Sequence, residues 1–232
     1  MTPAAASPSP ATRSTGVRAL RRTLGVLSGV AGLAVLAAVV TQVSDQIGAG
    51  RFEADEYFHF FTIQTALINV VVLIAGGVEA FRRPADTLLS TAVRASAVAY
   101  AVVTGLVYNV LLRGIPNDDG YVGPEWPNEL LHVWIPVFIA LEFLVNPTRA
   151  RLGWGALGLA VSFPLAWVGV TMVRGAVDGW YPYPFLEPGG PNGIGGVVGY
   201  VIGIAVLIIG LAALTVLVTR LQHRGNGAAA AG

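Results

Sequence analysis

The chain contains no cysteine and no lysine, and it carries few charges of either sign. Without cysteine there is no disulfide, no thiolate metal site and no cysteine nucleophile. Charged residues make up 12% of the 232 positions, against about a quarter in a soluble domain. The formal net charge is +1, so no basic field invites nucleic acid. Also missing are the Gly-x-Ser-x-Gly elbow, the His-Glu-x-x-His zinc motif, the Walker loop and the dinucleotide fingerprint. No cofactor is expected.

What is present is apolar. Hydrophobic residues account for 54% of the chain, and mean hydropathy is +0.67. So much apolar surface with so little charge has no stable place in water, and lipid is its natural solvent. All 14 basic residues are arginine. Together with abundant Ala, Gly and Val, that composition points to a GC-rich, bacterial genome.

Six apolar runs stand out, at about 24–43, 58–78, 91–112, 127–145, 152–173 and 196–218. Each is near the roughly 20 residues that cross a 30 Å hydrocarbon core as a helix. Lipid offers no partners to free backbone groups, so helices are required. The expected fold is all-α: a polytopic membrane protein, a six-transmembrane-helix bundle over 21–222. The flanking tails at 1–20 and 223–232 read as disordered. The arginine cluster before the first run resembles a signal peptide, but the span-length run favours an uncleaved anchor. In the fourth span, Trp126-Pro127-Asn128-Glu129 reads as a helix start. Pro164 should bend the fifth.

Arginine position orients the spans. Eleven arginines, from Arg13 through Arg82, Arg83, Arg94, Arg149 and Arg151 to Arg224, fall on one side, and only Arg51, Arg113 and Arg174 on the other. By the positive-inside bias both termini are cytoplasmic, in a cell membrane. Acidic residues such as Asp45, Asp118, Asp119 and Asp178 gather in the opposite loops.

Some polar residues sit where lipid should have excluded them. Thr62, Thr65 and Asn69 share one face of the second span, and Ser96, Tyr100, Thr104 and Tyr108 stripe the third. Interhelical hydrogen bonding accounts for most such residues. His132 and Glu142 in the fourth span are rarer at membrane depth. His132 suits either a base or a structural hydrogen-bonder. Glu142, near Asn146 and Arg149, reads as closing a helix end or pairing with arginine. Thr62 and His132 fall at comparable depth, so an imidazole could activate a hydroxyl there. Glu56-x-x-His59 and Glu129-x-x-His132 repeat a metal-ligand spacing. The further glutamates of a di-iron bundle are not evident at their depth, and no metal is expected. The aromatic loop Gly179-Trp180-Tyr181-Pro182-Tyr183-Pro184-Phe185-Leu186 reads equally as an interfacial belt or as a cap over a lipid-accessible cavity.

Three motifs in order, Phe60-Phe61-Thr62-Ile63-Gln64, then His132-x-x-x-Pro136 with Glu142, then Tyr183-Pro184-Phe185-Leu186, carry a resemblance. They resemble the androgen-induced and androgen-dependent membrane protein family over about 21–220. The resemblance implies a six-span hydrolase in which Thr62 is the nucleophile and His132 its partner. Animal members cleave fatty acid esters of hydroxy fatty acids. Here the histidine's surroundings, Asn128-Glu129-Leu130-Leu131-His132-Val133-Trp134, depart from the family's. The expected function is hydrolysis of lipid acyl esters, with membrane lipid as substrate and Thr65, Asn69, Glu142 and Tyr183 in supporting roles. The alternative is a non-catalytic multi-pass protein that binds a lipid or a partner helix. Oligomeric state is not legible.

Overall fold

The computed structural model describes residues 10–115 and 121–231, with side chains for 15–115 and 121–224. Every regular element among them is helical. In chain order they are α1 (Pro10–Gly48), α2 (Ala54–Tyr57), α3 (Phe61–Arg82) and α4 (Leu88–Val107), which runs into a π-helical turn, Tyr108–Leu112. Then come α5 (Glu125–Glu129), a second π-helical turn (Leu130–Trp134), α6 (Ile135–Val145), α7 (Ala156–Asp178), a 3-10 turn (Pro184–Leu186) and α8 (Gly193–Ala231). Six stretches are long and apolar enough to cross a membrane: Thr15–Gly48, Phe61–Arg82, Leu88–Leu112, Glu125–Val145, Ala156–Asp178 and Gly193–Arg224. The expected six-helix membrane bundle is the observed one.

The packing has a core and an annex. α1 and α3 approach closely along small residues. A Cβ placed on Gly77 would lie 2.7 Å from the Gly25 carbonyl oxygen, and one on Gly32 would lie 2.9 Å from Ile74 Cγ1. Small residues are what allow lipid-embedded backbones to pack this tightly. α4 touches α3, α6, α7 and α8 and forms the central post. α7 and α8 are peripheral: 11% and 22% of their most apolar stretches are buried, against 56% for α4.

Helix α7 passes through Pro164. Proline has no N–H for the carbonyl four residues back, so the Ala160 oxygen is left without its helical donor. Tyr100 Oη donates to that oxygen at 2.8 Å. One hydroxyl of the α4 stripe is therefore explained as helix packing.

Several boundaries differ from the sequence reading. The second span begins at Phe61 instead of 58, because the chain breaks after α2. His59 fastens that break to α7: its carbonyl accepts from Trp167 Nε1 at 2.9 Å, and its Nε2 lies 3.0 Å from Thr171 Oγ1. α7 begins at Ala156 instead of 152. The Leu152 backbone is occupied by α8, donating to Thr219 Oγ1 at 3.1 Å and accepting from Arg220 Nε at 3.1 Å. Helix already starts at Pro10 and runs to Ala231, into both segments read as tails; residues 1–9 and the acidic pair Asp118 and Asp119 lie outside the described residues.

One end of the bundle is closed by buried charge. Arg21 on α1 donates to Asp86 Oδ1 at 2.6 Å, Thr148 Oγ1 at 2.5 Å and the Arg83 carbonyl at 3.0 Å. Arg149 bridges Asp86 and Glu142. Arg94 lies 3.6 Å from Glu142 and 3.9 Å from Asp86, its guanidinium filling the space a side chain at Gly76 would need. Asn146 Nδ2 donates to Glu142 at 3.2 Å. Burial pushes the Asp86 carboxyl up, but the charges of Arg149, Arg94 and Arg21 outweigh it and hold the group below its ordinary value. Glu142 thus belongs to a structural ion cluster that ties α1, α4 and α6 together.

Candidate functional site

At the opposite, aromatic end, α3, α4, α7 and α8 enclose an apolar cavity of ≈ 200 Å³. Phe61 and Thr62 contribute from α3, Thr104 and Val107 from α4, Trp167 from α7 and Ile204 from α8. The segment after α7 closes it. Gly179 turns the chain with φ 80°, a left-handed conformation that glycine tolerates without strain. Tyr183, Phe185 and Leu186 then fold inward, buried, with the Tyr183 and Phe185 rings stacked 5.1 Å apart. Between the two readings of this loop, its buried half is a cap. The cavity also reaches the seam between α7 and α8, where Leu165 and Ile209 line it while 59% and 43% exposed.

Thr62 stands in the first turn of α3, where backbone N–H groups lack helical partners. Its N–H donates to Tyr183 Oη at 3.4 Å, and its Oγ1 lies 3.5 Å from the same oxygen. Burial pushes the Tyr183 phenol above its ordinary pKa, against the hydrogen bonds from Thr62. The phenol therefore keeps its proton at neutral pH: its oxygen accepts from the Thr62 N–H, and either hydroxyl of the Thr62–Tyr183 pair can donate to the other.

His132 is held by three contacts on its own side of the bundle. Its Nδ1 lies 2.8 Å from the Asn128 carbonyl. A carbonyl only accepts, so Nδ1 carries the proton and Nε2 presents a lone pair. The Tyr108 ring stacks on the imidazole, centroids 3.8 Å apart and planes 21° from parallel. Asn128 Nδ2 in turn donates to Tyr108 Oη. Pro136 gives the spacing His132-x-x-x-Pro136 a physical meaning. It supplies no N–H to the His132 carbonyl, which accepts from Asn109 Nδ2 at 3.2 Å. α4 can come this close because a Cβ on Gly105 would lie 2.8 Å from that same oxygen.

Both π-helical turns among the described residues meet here, one holding Tyr108 and the other His132. Such turns recur at functional sites because the extra residue re-aims side chains. The sequence pattern, which reads Tyr108 as a packing residue, gives no sign of them; periodicity carries no signal for a single inserted residue.

No hydrogen bond joins Thr62 to His132. Tyr108, which lines the cavity beside Thr62, covers the imidazole face. Leu131 and Ile135, the neighbours of His132, line a second, small niche together with Thr62, Thr65 and Asn69. Thr65 Oγ1 donates to the Thr62 carbonyl at 3.0 Å and lies 3.5 Å from Thr104 Oγ1. Asn69 Oδ1 is buried without a hydrogen-bond partner. Gln64 faces away, donating to the Phe58 carbonyl at 3.0 Å.

The two Glu-x-x-His pairs are far from alike in use. Glu129 pairs with Arg113 at 2.7 Å, and His59 with Thr171 as above. Among the described residues no three His, Asp or Glu side chains converge as a metal site. The His59–Thr171 pair is the one direct imidazole–threonine contact among the described residues, but Thr171 is fully buried and lines neither cavity, so it serves as a fastener. Compared with known proteins, the chain matches no family model, no curated protein and no solved structure.

Proposed function

We propose that this protein is an intramembrane hydrolase of long-chain acyl esters, with Thr62 as nucleophile and His132 as base. The observation that carries the reading is the placement of the Thr62 hydroxyl on the wall of an apolar, lipid-accessible cavity, next to the protonated Tyr183 phenol. An acyl chain entering at the α7–α8 seam finds an apolar path, and its ester group meets the polar edge formed by Thr62 and the two tyrosines. His132 Nε2 takes the Thr62 proton, Oγ1 attacks the ester carbonyl, the carbon–alkoxy bond breaks as His132 passes that proton to the departing oxygen, and the alcohol leaves with Thr62 acylated and His132 neutral again. The Thr62 N–H and Tyr183 hydroxyl are the donors nearest the developing oxyanion. Family-level resemblance in the three motifs points to the same pair. The mechanism requires substrate to draw Nε2 and Oγ1 together, as catalytic hydrogen bonds often tighten on binding.

A second reading is favoured by one observation: the resting hydroxyl neighbours a phenol, not an imidazole. On that reading the cavity binds an acyl lipid without cleaving it. Hydrolysis of long-chain acyl esters by purified protein decides. Thr62→Ala and His132→Ala should each abolish it while leaving the melting temperature within a few degrees, and the double change should be little worse. Retention of full activity by Thr62→Ala leaves only binding.

On this reading the arginine-rich end faces the cytoplasm, with both termini, in a bacterial cell membrane. A cysteine-free chain makes that testable directly. Single cysteines at Asp45 or Gly179 should react with an impermeant reagent in intact cells, and cysteines at Arg82 or Arg149 only after lysis. Outside labelling at Arg82 reverses the orientation.

A further inference from the structure

The niche behind Thr62 differs from the cavity in front of it. It is small, ≈ 10 Å³, and it is walled by Thr62, Thr65, Asn69, Thr104, Leu131 and Ile135 among others. That volume is about what one water requires. A water at such a site needs two to four polar partners, and the walls offer three hydroxyls and an amide. Asn69 Oδ1 is the telling atom. Asn69 is 4% exposed, yet this acceptor has no partner. A buried amide oxygen left unsatisfied has lost its hydration with nothing in return, so the position calls for a donor. Asn69 lies seven residues after Thr62 on the same face of α3, and helical side chains lean toward the N-terminus, which is toward Thr62.

Thr62, together with Thr104, is therefore the shared wall between an apolar chamber for a chain and a polar chamber for one small hydrogen-bonding molecule. We propose that the niche holds a single water, anchored by Asn69 Oδ1 and the Thr65 and Thr104 hydroxyls, and that this water releases the acyl group from Thr62. The proposal rests on the ester chemistry above. The water oxygen bonds to the acyl carbon while one of its protons passes to the base. The bond from carbon to Thr62 Oγ1 then breaks and Oγ1 recovers a proton. Thr62 is restored and a carboxylic acid leaves, so water is the only co-reactant. A separate water site behind the nucleophile also lets an otherwise apolar chamber hydrolyse its contents.

The test separates release from attack. Full-length wild type, Asn69→Leu and Thr104→Val are purified in detergent and given a 4-nitrophenyl ester of a long-chain acid. Asn69→Leu fills the niche and removes the anchor; Thr104→Val keeps the shape of threonine and removes one hydroxyl, so it decides if Asn69→Leu does not fold. Both variants should show a burst of about one nitrophenolate per chain, an acyl adduct on Thr62 by mass spectrometry, and steady turnover slowed about ten- to a hundredfold. Wild-type turnover with no adduct in both variants overturns the water site. Loss of the burst with the fold intact overturns it too, since the niche would then serve attack. If Thr62→Ala turns over like wild type, the ester mechanism itself is wrong, a result distinct from either.

Discussion

The two ends of this bundle solve opposite problems with the same material. At the arginine-rich end, Arg21, Asp86, Arg94, Glu142 and Arg149 are all buried, and each carboxylate meets at least two guanidinium groups. At the aromatic end, the polar groups around open space are hydroxyls and amides, with the His132 imidazole behind Tyr108. Charge in lipid is tolerable only when it is paired, and pairing it across helices fixes those helices in place. Hydroxyls are inexpensive enough to be left facing a cavity. The difference assigns rigidity to one end and room for a ligand to the other.

The largest effect that tests this division should come from Asp86. Asp86→Ala leaves Arg21 and Arg149 without a shared partner, and stranding buried charge costs about 3–5 kcal/mol. Thermal unfolding in detergent should show a large loss of stability, while hydrolysis per folded molecule stays near wild type. Loss of activity at full stability would mean that the ends are not separable. Acid should act in the same direction. The Asp86 pKa is depressed in the folded protein, so its contribution is present above the ordinary value near 4. It is lost as pH falls through the depressed one. The wild-type protein should lose stability in that acid window, and Asp86→Ala should lose correspondingly less there.

A smaller loss is expected at the join between core and annex. Tyr100→Phe removes the donor to the Ala160 carbonyl, which Pro164 has already deprived of its helical partner. The orphaned carbonyl should cost about 1–3 kcal/mol. Thr215→Val on α8, where the hydroxyl bonds only its own helix at Ala212, is the control and should cost less. Equal losses would show that Tyr100 acts by packing alone.

Much of this contrast is legible in the amino-acid order alone. Apolar run length yields six helices, and arginine spacing separates the two ends, because lipid thickness and charge cost act on each residue separately. Glu142 reads as an arginine partner because Asn146 and Arg149 follow it closely. Its neighbours Arg94 and, through Asp86, Arg21 do not, since they arrive from other helices. The same holds at the other end. Thr62, Thr65 and Asn69 share a face by simple periodicity, but Tyr183 reaches Thr62 from 121 residues away. The stacking of Tyr108 on His132 depends on two π-helical turns that no spacing rule anticipates. Pairings across helices set the site, and sequence order does not encode them one residue at a time.

The smallest effect on stability should be the most selective for function. Ala205 lies on α8 with its side chain on the cavity wall, half-buried, near the exposed Ile209. Ala205→Phe adds a ring to open space instead of to a packed core, so the overpacking penalty of about 1–3 kcal/mol seen in dense interiors should largely be avoided. The ring instead occupies the room an acyl chain would take. Hydrolysis of a sixteen-carbon ester should fall about tenfold or more, while a four-carbon ester, whose chain ends before the ring, is cleaved at the wild-type rate. Each buried methylene contributes about 0.8 kcal/mol, so excluding two or three is enough for that ratio. Ile209→Ala, which widens the α7–α8 seam without filling it, should leave the chain-length preference unchanged. If Ala205→Phe slows both esters equally, the ring has disturbed Thr62 and not the chain path. If it slows neither, acyl chains do not lie between α7 and α8, and the cavity at the aromatic end is not the binding site.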